Sequence, residues 1–203
     1  MQKKWIAIIP PYLAVWVGLF FFKSAWGALL GFHIAVLFVL VWLKPKTPLA
    51  VLFKSVPLSS IVGNVLLCSA GGLGLYLLWN FLGMRPELRN ILQSLGLSGI
   101  TWFGFTAYFS LVNPIIEEYF WRGELGNETR SFYFGDLAYA GYHVFVLWEK
   151  AQLYSVILAV VALVFIGWFW RQVYRRDGSL LAPILGHMAA DLSILLAVYF
   201  KVR

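Results

Sequence analysis

Residues 97–122 read Leu97-Ser-Gly-Ile-Thr-Trp-Phe-Gly-Phe-Thr-Ala-Tyr-Phe-Ser-Leu-Val-Asn-Pro-Ile-Ile-Glu-Glu-Tyr-Phe-Trp-Arg122. A helix needs roughly 17–25 apolar residues to cross the hydrocarbon of a bilayer, so this run is long enough to span. It carries three charges, Glu117, Glu118 and Arg122, all towards one end. A charge at membrane depth costs roughly 2.5–3.5 kcal/mol on insertion scales. A chain that retains three at that cost uses them, and the search for chemistry starts at this pair of glutamates.

The rest of the chain agrees with a membrane reading. Of its 203 residues 61% are hydrophobic and 12% charged, and the mean hydropathy is +0.79. An ordinary soluble domain is about 25% charged. Lysine and arginine outnumber the acids 16 to 9. The basic residues sit in short connectors between apolar runs, so the excess reads as topology control rather than nucleic-acid binding. The one cysteine, Cys68, excludes an intrachain disulfide and a cysteine metal cluster. Met1-Gln-Lys-Lys followed by an apolar run resembles a signal peptide but has no small-x-small cleavage site, so it reads as an uncleaved first helix.

Seven apolar segments stand out, at 5–22, 26–43, 58–83, 98–123, 132–148, 152–170 and 179–200. The expected fold class is therefore all-α: a polytopic transmembrane helical bundle of about seven spans plus one interfacial helix, forming one integral membrane domain over 1–203. Pro10-Pro11 predicts a kink in the first span. Tryptophans near segment ends, Trp102, Trp121 and Trp170 among them, read as headgroup anchors. From Pro86 to Leu95, Leu88, Ile91, Leu92 and Leu95 share one helical face, with Gly96 beyond, which predicts an amphipathic helix lying on the membrane. The connector 44–57, with three lysines and three prolines, is less regular. Gly63, Gly71, Gly72 and Gly74 in the third segment predict close helix packing. With the N-terminus inside, the inner side receives ten basic residues and the outer six, or nine against six with Arg122 counted as intramembrane, which favours a cytoplasmic N-terminus.

The membrane-depth polar residues gather in the last four segments: Glu117, Glu118 and Arg122, then Asp136 and His143, then His187 and Asp191. Counted from the same face at about 1.5 Å per residue, Glu117, His143 and His187 all lie roughly 12–17 Å deep. Three spans thus carry a carboxylate and two imidazoles to one level, where unpaired groups would be costly. Glu118 and Arg122 are i,i+4 neighbours and pair, which frees Glu117, about 100° around the helix. His187 and Asp191 share a face by the same spacing. Asp136, Tyr139 and His143 share another, which makes Tyr139 a supporting residue of the site and Asp136 an interfacial or capping residue. His33, with no acidic neighbour, reads as structural.

One carboxylate and two histidines without an evident nucleophilic serine or cysteine point to an activated water. In one version Glu117 takes the water's proton with help from His143, and His187 and Asp191 support the carbonyl oxygen as it gains charge. No cofactor is then required. In the other version Glu117, His143 and His187 hold a divalent metal, zinc being the natural choice, that activates the water. No His-Glu-x-x-His motif supports the metal version independently. Asp191 is a poorer oxyanion donor than an amide; it must be protonated or act by positioning His187.

At these residues the chain resembles the CAAX protease and bacteriocin-processing (CPBP, or Abi) intramembrane proteases. Glu117-Glu-Tyr-Phe-Trp-Arg122 is similar to their first motif, Glu-Glu-x-x-x-Arg, and Gly123 is typical after it. Tyr139-Ala-Gly-Tyr-His143 resembles the second, Phe-x-x-x-His, with tyrosine for phenylalanine. His187-Met-Ala-Ala-Asp191 resembles the third, His-x-x-x-Asn or a similar acid or amide residue. The resemblance covers 98–203, the expected catalytic core; residues 1–97 form spans that vary in such families. It implies an endopeptidase working within the membrane, as in the enzyme that trims prenylated CAAX proteins and in bacterial enzymes of bacteriocin maturation and self-immunity. By the resemblance Glu117 is the base, His143 its partner, and His187 with Asp191 the oxyanion side, with Glu118 and Arg122 in support.

The implied partners are a protein or peptide substrate at the membrane and the lipid bilayer, with no nucleic acid. A bacterial cytoplasmic membrane is the expected location. The rival reading is a non-proteolytic scaffold or chaperone of the same family that regulates another membrane protein. A proton-coupled transporter is disfavoured, because the first three segments hold no counterpart of the ionisable cluster.

Overall fold

The computed structural model describes residues 2–203, and among them it is helical with no strand beyond one isolated bridge between Met84 and Ala151. Short α1 (Gln2–Ile6) and α2 (Ile9–Trp16) are followed by a π-turn at Val17–Phe21. Pro10 and Pro11 occupy the first turn of α2, where a missing N–H costs nothing, so the kink expected in the first span falls just ahead of them. α3 (Ala25–Leu43) opens on a Ser24 cap, whose Oγ accepts from Gly27 N at 2.9 Å. α4 (Leu58–Leu77), α10 (Leu153–Asp177) and α11 (Leu181–Val202) are the other long rods.

Between them lie shorter pieces: α5 (Leu88–Ser94), α6 (Gly99–Leu111), α7 (Asn113–Glu118), α8 (Phe134–Gly141) and α9 (His143–Leu147). Five stretches are long and apolar enough to cross a membrane: Lys4–Phe21, α3, α4, α10 and α11. A sixth forms if α5 and Gly99–Glu124, bent by 84° to each other, count as one span. The seven-span expectation thus falls to five or six. The loss is at 132–148, where the chain breaks at Tyr142 into two helices too short to cross. α5 is the expected amphipathic helix, shortened by two residues at its start and one at its end; it buries Leu88 and Leu92, exposes Arg89 and Gln93, and is followed by the buried Leu95.

The outside of the bundle is apolar: Ile100 is 83% exposed, and Val41, Phe81 and Leu58 are similarly bare. In water such a surface would drive aggregation; as a lipid-facing belt it is the expected exterior. A close seam joins α4 to α11. A Cβ on Gly72 would come within 2.3 Å of the Ser193 carbonyl carbon, so only glycine permits this approach. A Cβ on Gly63, Gly71 or Gly74 would meet nothing within 4 Å, so these glycines make no such seam, contrary to their expected role. Trp102, Trp121 and Trp170 are buried core residues rather than headgroup anchors.

Candidate functional site

Pro114 decides where the site begins. Proline has no N–H to continue the ladder of α6, so the helix breaks at Val112 and restarts as α7 with Pro114 in its first turn. One face of α7 then carries Asn113 and Glu117, four residues apart. After Glu118 the backbone widens into a π-turn over Tyr119–Glu124, a local irregularity that recurs at functional sites. Arg122 lies within this turn. α7 packs against α11, which presents His187 and Asp191.

Glu117 and Glu118 are 1% and 0% exposed, and they have different partners. Glu118 Oε1 accepts from His187 Nδ1 at 2.8 Å and stands 3.1 Å from Arg122 Nη1. The sequence-predicted Glu118–Arg122 pair is therefore present, and it extends to the histidine. Glu117 Oε1 accepts from the hydroxyl of Tyr142. Its other oxygen, Oε2, has no hydrogen-bond partner among the described residues and lies 3.9 Å from His187 Nε2. Asp191 Oδ1 lies 3.6 Å from the same nitrogen. A carboxylate can only accept, so Nδ1 of His187 carries a proton, and Nε2 is the edge turned to Glu117 and Asp191.

His143 sits one step removed. Its Nδ1 donates to the Tyr139 carbonyl at 3.1 Å, which leaves Nε2 as an acceptor. The ring stacks on Tyr142 at a centroid distance of 4.1 Å, and Tyr142 in turn holds Glu117. Tyr142 thus stands between Glu117 and His143, touching both. Tyr139 is buried as the floor: it lies edge-on to His143 and His187, and the Arg122 guanidinium stands 3.9 Å above its ring. Trp170 stacks on His187 at 4.5 Å.

Three contributors escaped sequence reading. Tyr142 and Trp170 are aromatic residues among many, and only the fold turns them inward; Asn113 carried the one usable signal, a side-chain amide four residues before Glu117. Asp136 does not join the site. It caps α8 through Tyr133 N at 2.9 Å and pairs with the buried Arg171 at 2.7 Å, so its capping role stands and a further ion pair is added.

Among the described residues no group of three or more histidine, cysteine, aspartate or glutamate side chains is arranged to hold a metal ion. His187 Nδ1 is committed to Glu118 and His143 Nδ1 to a backbone carbonyl. Glu117, His143 and His187 are not gathered as a ligand set among the described residues.

A polytopic helical membrane protein with a buried carboxylate–imidazole cluster is the class that fold and site define. Within it, residues 99–193 match the family model described as "Type II CAAX prenyl endopeptidase Rce1-like", consistent with a CPBP-family intramembrane protease. The matched segment contains Glu117, Glu118, Arg122, Tyr139, His143, His187 and Asp191, and it supports an intramembrane CAAX endopeptidase. No curated protein and no solved structure matches the chain.

Proposed function

We propose that this protein is an intramembrane endopeptidase in which Glu117 activates a water. The observation that carries this reading is the free Oε2 of Glu117, buried beside His187 Nε2, the nitrogen that Asp191 also approaches. Tyr142 fixes one oxygen of Glu117 and leaves the other for the reaction. Glu117 takes a proton from water; the hydroxide adds to the scissile carbonyl carbon. His187, protonated at Nε2 and held by Glu118 at Nδ1, donates to the oxyanion, and Asp191 positions that imidazole. The proton on Glu117 then passes to the leaving nitrogen as the C–N bond breaks, giving a carboxylate and an amine. His143 offers its Nε2 lone pair to the water. Glu118, Arg122 and Tyr139 hold the frame. No metal takes part in this scheme.

The substrate in this reading is a membrane-associated or lipidated protein, or a peptide or sorting signal, cut near the bilayer. The family match supports a CAAX-type C-terminal segment first. The basic connectors support a cytoplasmic N-terminus, in a bacterial cytoplasmic membrane. The test is to map protein termini in host membranes expressing wild type or Glu117→Gln at equal level. A small set of termini that vanishes in the variant supports the reading. Unchanged termini, with a deletion phenotype that Glu117→Gln still rescues, would assign a scaffold role instead.

A further inference from the structure

His33 and Asn113 form a buried polar contact that the proposed reaction leaves unused. Both are nearly inaccessible to solvent, and they come from α3 and α7, elements far apart in sequence. His33 Nε2 lies 3.0 Å from Asn113 Oδ1, and His33 Nδ1 lies 3.2 Å from the Tyr108 hydroxyl. The amide oxygen can only accept, so Nε2 carries the proton and Nδ1 accepts from Tyr108. That tautomer is neutral, and every polar atom of the imidazole is matched. It also fixes the amide: with Oδ1 turned to His33, the NH2 end of Asn113 points the other way. α11, which carries Asp191, packs against α7.

The register of the two helices sets the pairing. Asn113 and Glu117 are i,i+4 on α7; His187 and Asp191 are i,i+4 on α11. Facing helices with this spacing place Glu117 opposite His187 and Asn113 opposite Asp191. Asp191 Oδ2 is buried with no hydrogen-bond partner among the described residues, and its Oδ1 stands 3.6 Å from His187 Nε2. Oδ2 needs a donor, and Asn113 carries an amide N–H on the helix packed against α11.

We infer that Asn113 is a positioning residue of the site: it presents its amide N–H to Asp191 and so aims that carboxylate at His187, while His33 and Tyr108 set the orientation of the amide. The relay runs Tyr108–His33–Asn113–Asp191–His187 and ties α3, outside the three motifs, to the chemistry. The inference rests on the protease reading above.

A buried amide held at both ends has a different signature from one that only fills space. Replacing His33 by alanine frees the amide to turn; replacing it by glutamine restores an N–H towards Asn113 Oδ1. Asn113→Asp sets two carboxylates face to face, and adding Asp191→Asn restores one amide and one acid at the pair. The experiment follows the rate at which Glu117-dependent termini form in host membranes, at equal protein level and with thermal unfolding in detergent as the folding control. His33→Ala and Asn113→Ala are expected to slow it on the order of 10- to 100-fold, the usual scale for misaimed groups. His33→Gln and the Asn113→Asp/Asp191→Asn double variant are expected to recover most of the rate relative to His33→Ala and Asn113→Asp. Wild-type rates in His33→Ala and Asn113→Ala would overturn the inference, as would equal slowing in His33→Ala and His33→Gln. If Glu117→Gln itself removes no termini, the protease reading fails and this one falls with it; if Glu117→Gln alone removes termini while the His33 and Asn113 variants cleave as wild type, the protease reading stands and the relay alone is lost.

Discussion

Glu117 and Glu118 are adjacent in the chain, yet the helix turns them to different partners and so to different jobs. Glu118 is the counter-ion of Arg122 and the acceptor for His187 Nδ1. Removing one partner of a buried pair leaves the other charge uncompensated, at a cost of about 3–5 kcal/mol. Glu118→Gln is therefore expected to lower the unfolding temperature in detergent clearly, whereas Glu117→Gln leaves it near wild type and loses cleavage by about 10²–10⁴-fold. Tyr142→Phe removes the one hydrogen bond that holds Glu117 and strands its Oε1, at about 1–3 kcal/mol. It is expected to cut the rate of terminus formation while keeping the same cleavage sites, which terminal mapping would check. The residues bearing charge at membrane depth were legible in sequence because insertion cost singles them out. Tyr142 and Trp170 were not, because an aromatic side chain costs nothing in a membrane and only its direction makes it part of the site.

Helix spacing fixed the depth of each site residue but not its azimuth. Depth follows from counting along a rod, and Glu117 and His187, expected at one level, stand 3.9 Å apart. Azimuth depends on how α11 is rotated against α7, and that is set by packing, above all by Gly72 of α4 against Ser193 of α11. Gly72→Val is expected to push α11 away and lower both thermal stability and cleavage, while Gly63→Ala, with open space around it, leaves both unchanged. The break at Tyr142 was equally invisible: 132–148 is apolar enough to read as a span, but α8 stops after Gly141 and His143 starts a new helix. What anchors that region is Arg171 of α10. Its guanidinium pairs with Asp136 and donates to the carbonyls of Thr129 at 2.6 Å and Ser131 at 2.8 Å. Arg171→Met is expected to release residues 127–131 and speed limited proteolysis there, with α4 and α11 protected as before; proteolysis at an unchanged rate would show that the clamp is dispensable.

At the scale of the whole molecule, an apolar exterior surrounds a polar centre. The apolar spans of α3, α4 and α10 were evident from hydropathy alone. The overall class, a helical membrane bundle, was legible for the same reason: only helices satisfy their own backbone groups in hydrocarbon. The count of spans was not, since length and composition cannot show a bend such as the 84° angle between α5 and Gly99–Glu124. The central claim is that this bundle cuts peptide bonds with a glutamate-activated water and its own side chains. The direct measurement is add-back. Purified wild-type protein, stripped of metal with a chelator, is mixed with detergent-solubilised membranes from cells expressing Glu117→Gln, and new protein termini are mapped over time. The account predicts that the termini missing from the variant reappear at the same sites without added metal. No new termini, or termini that form only after zinc is supplied, would contradict it.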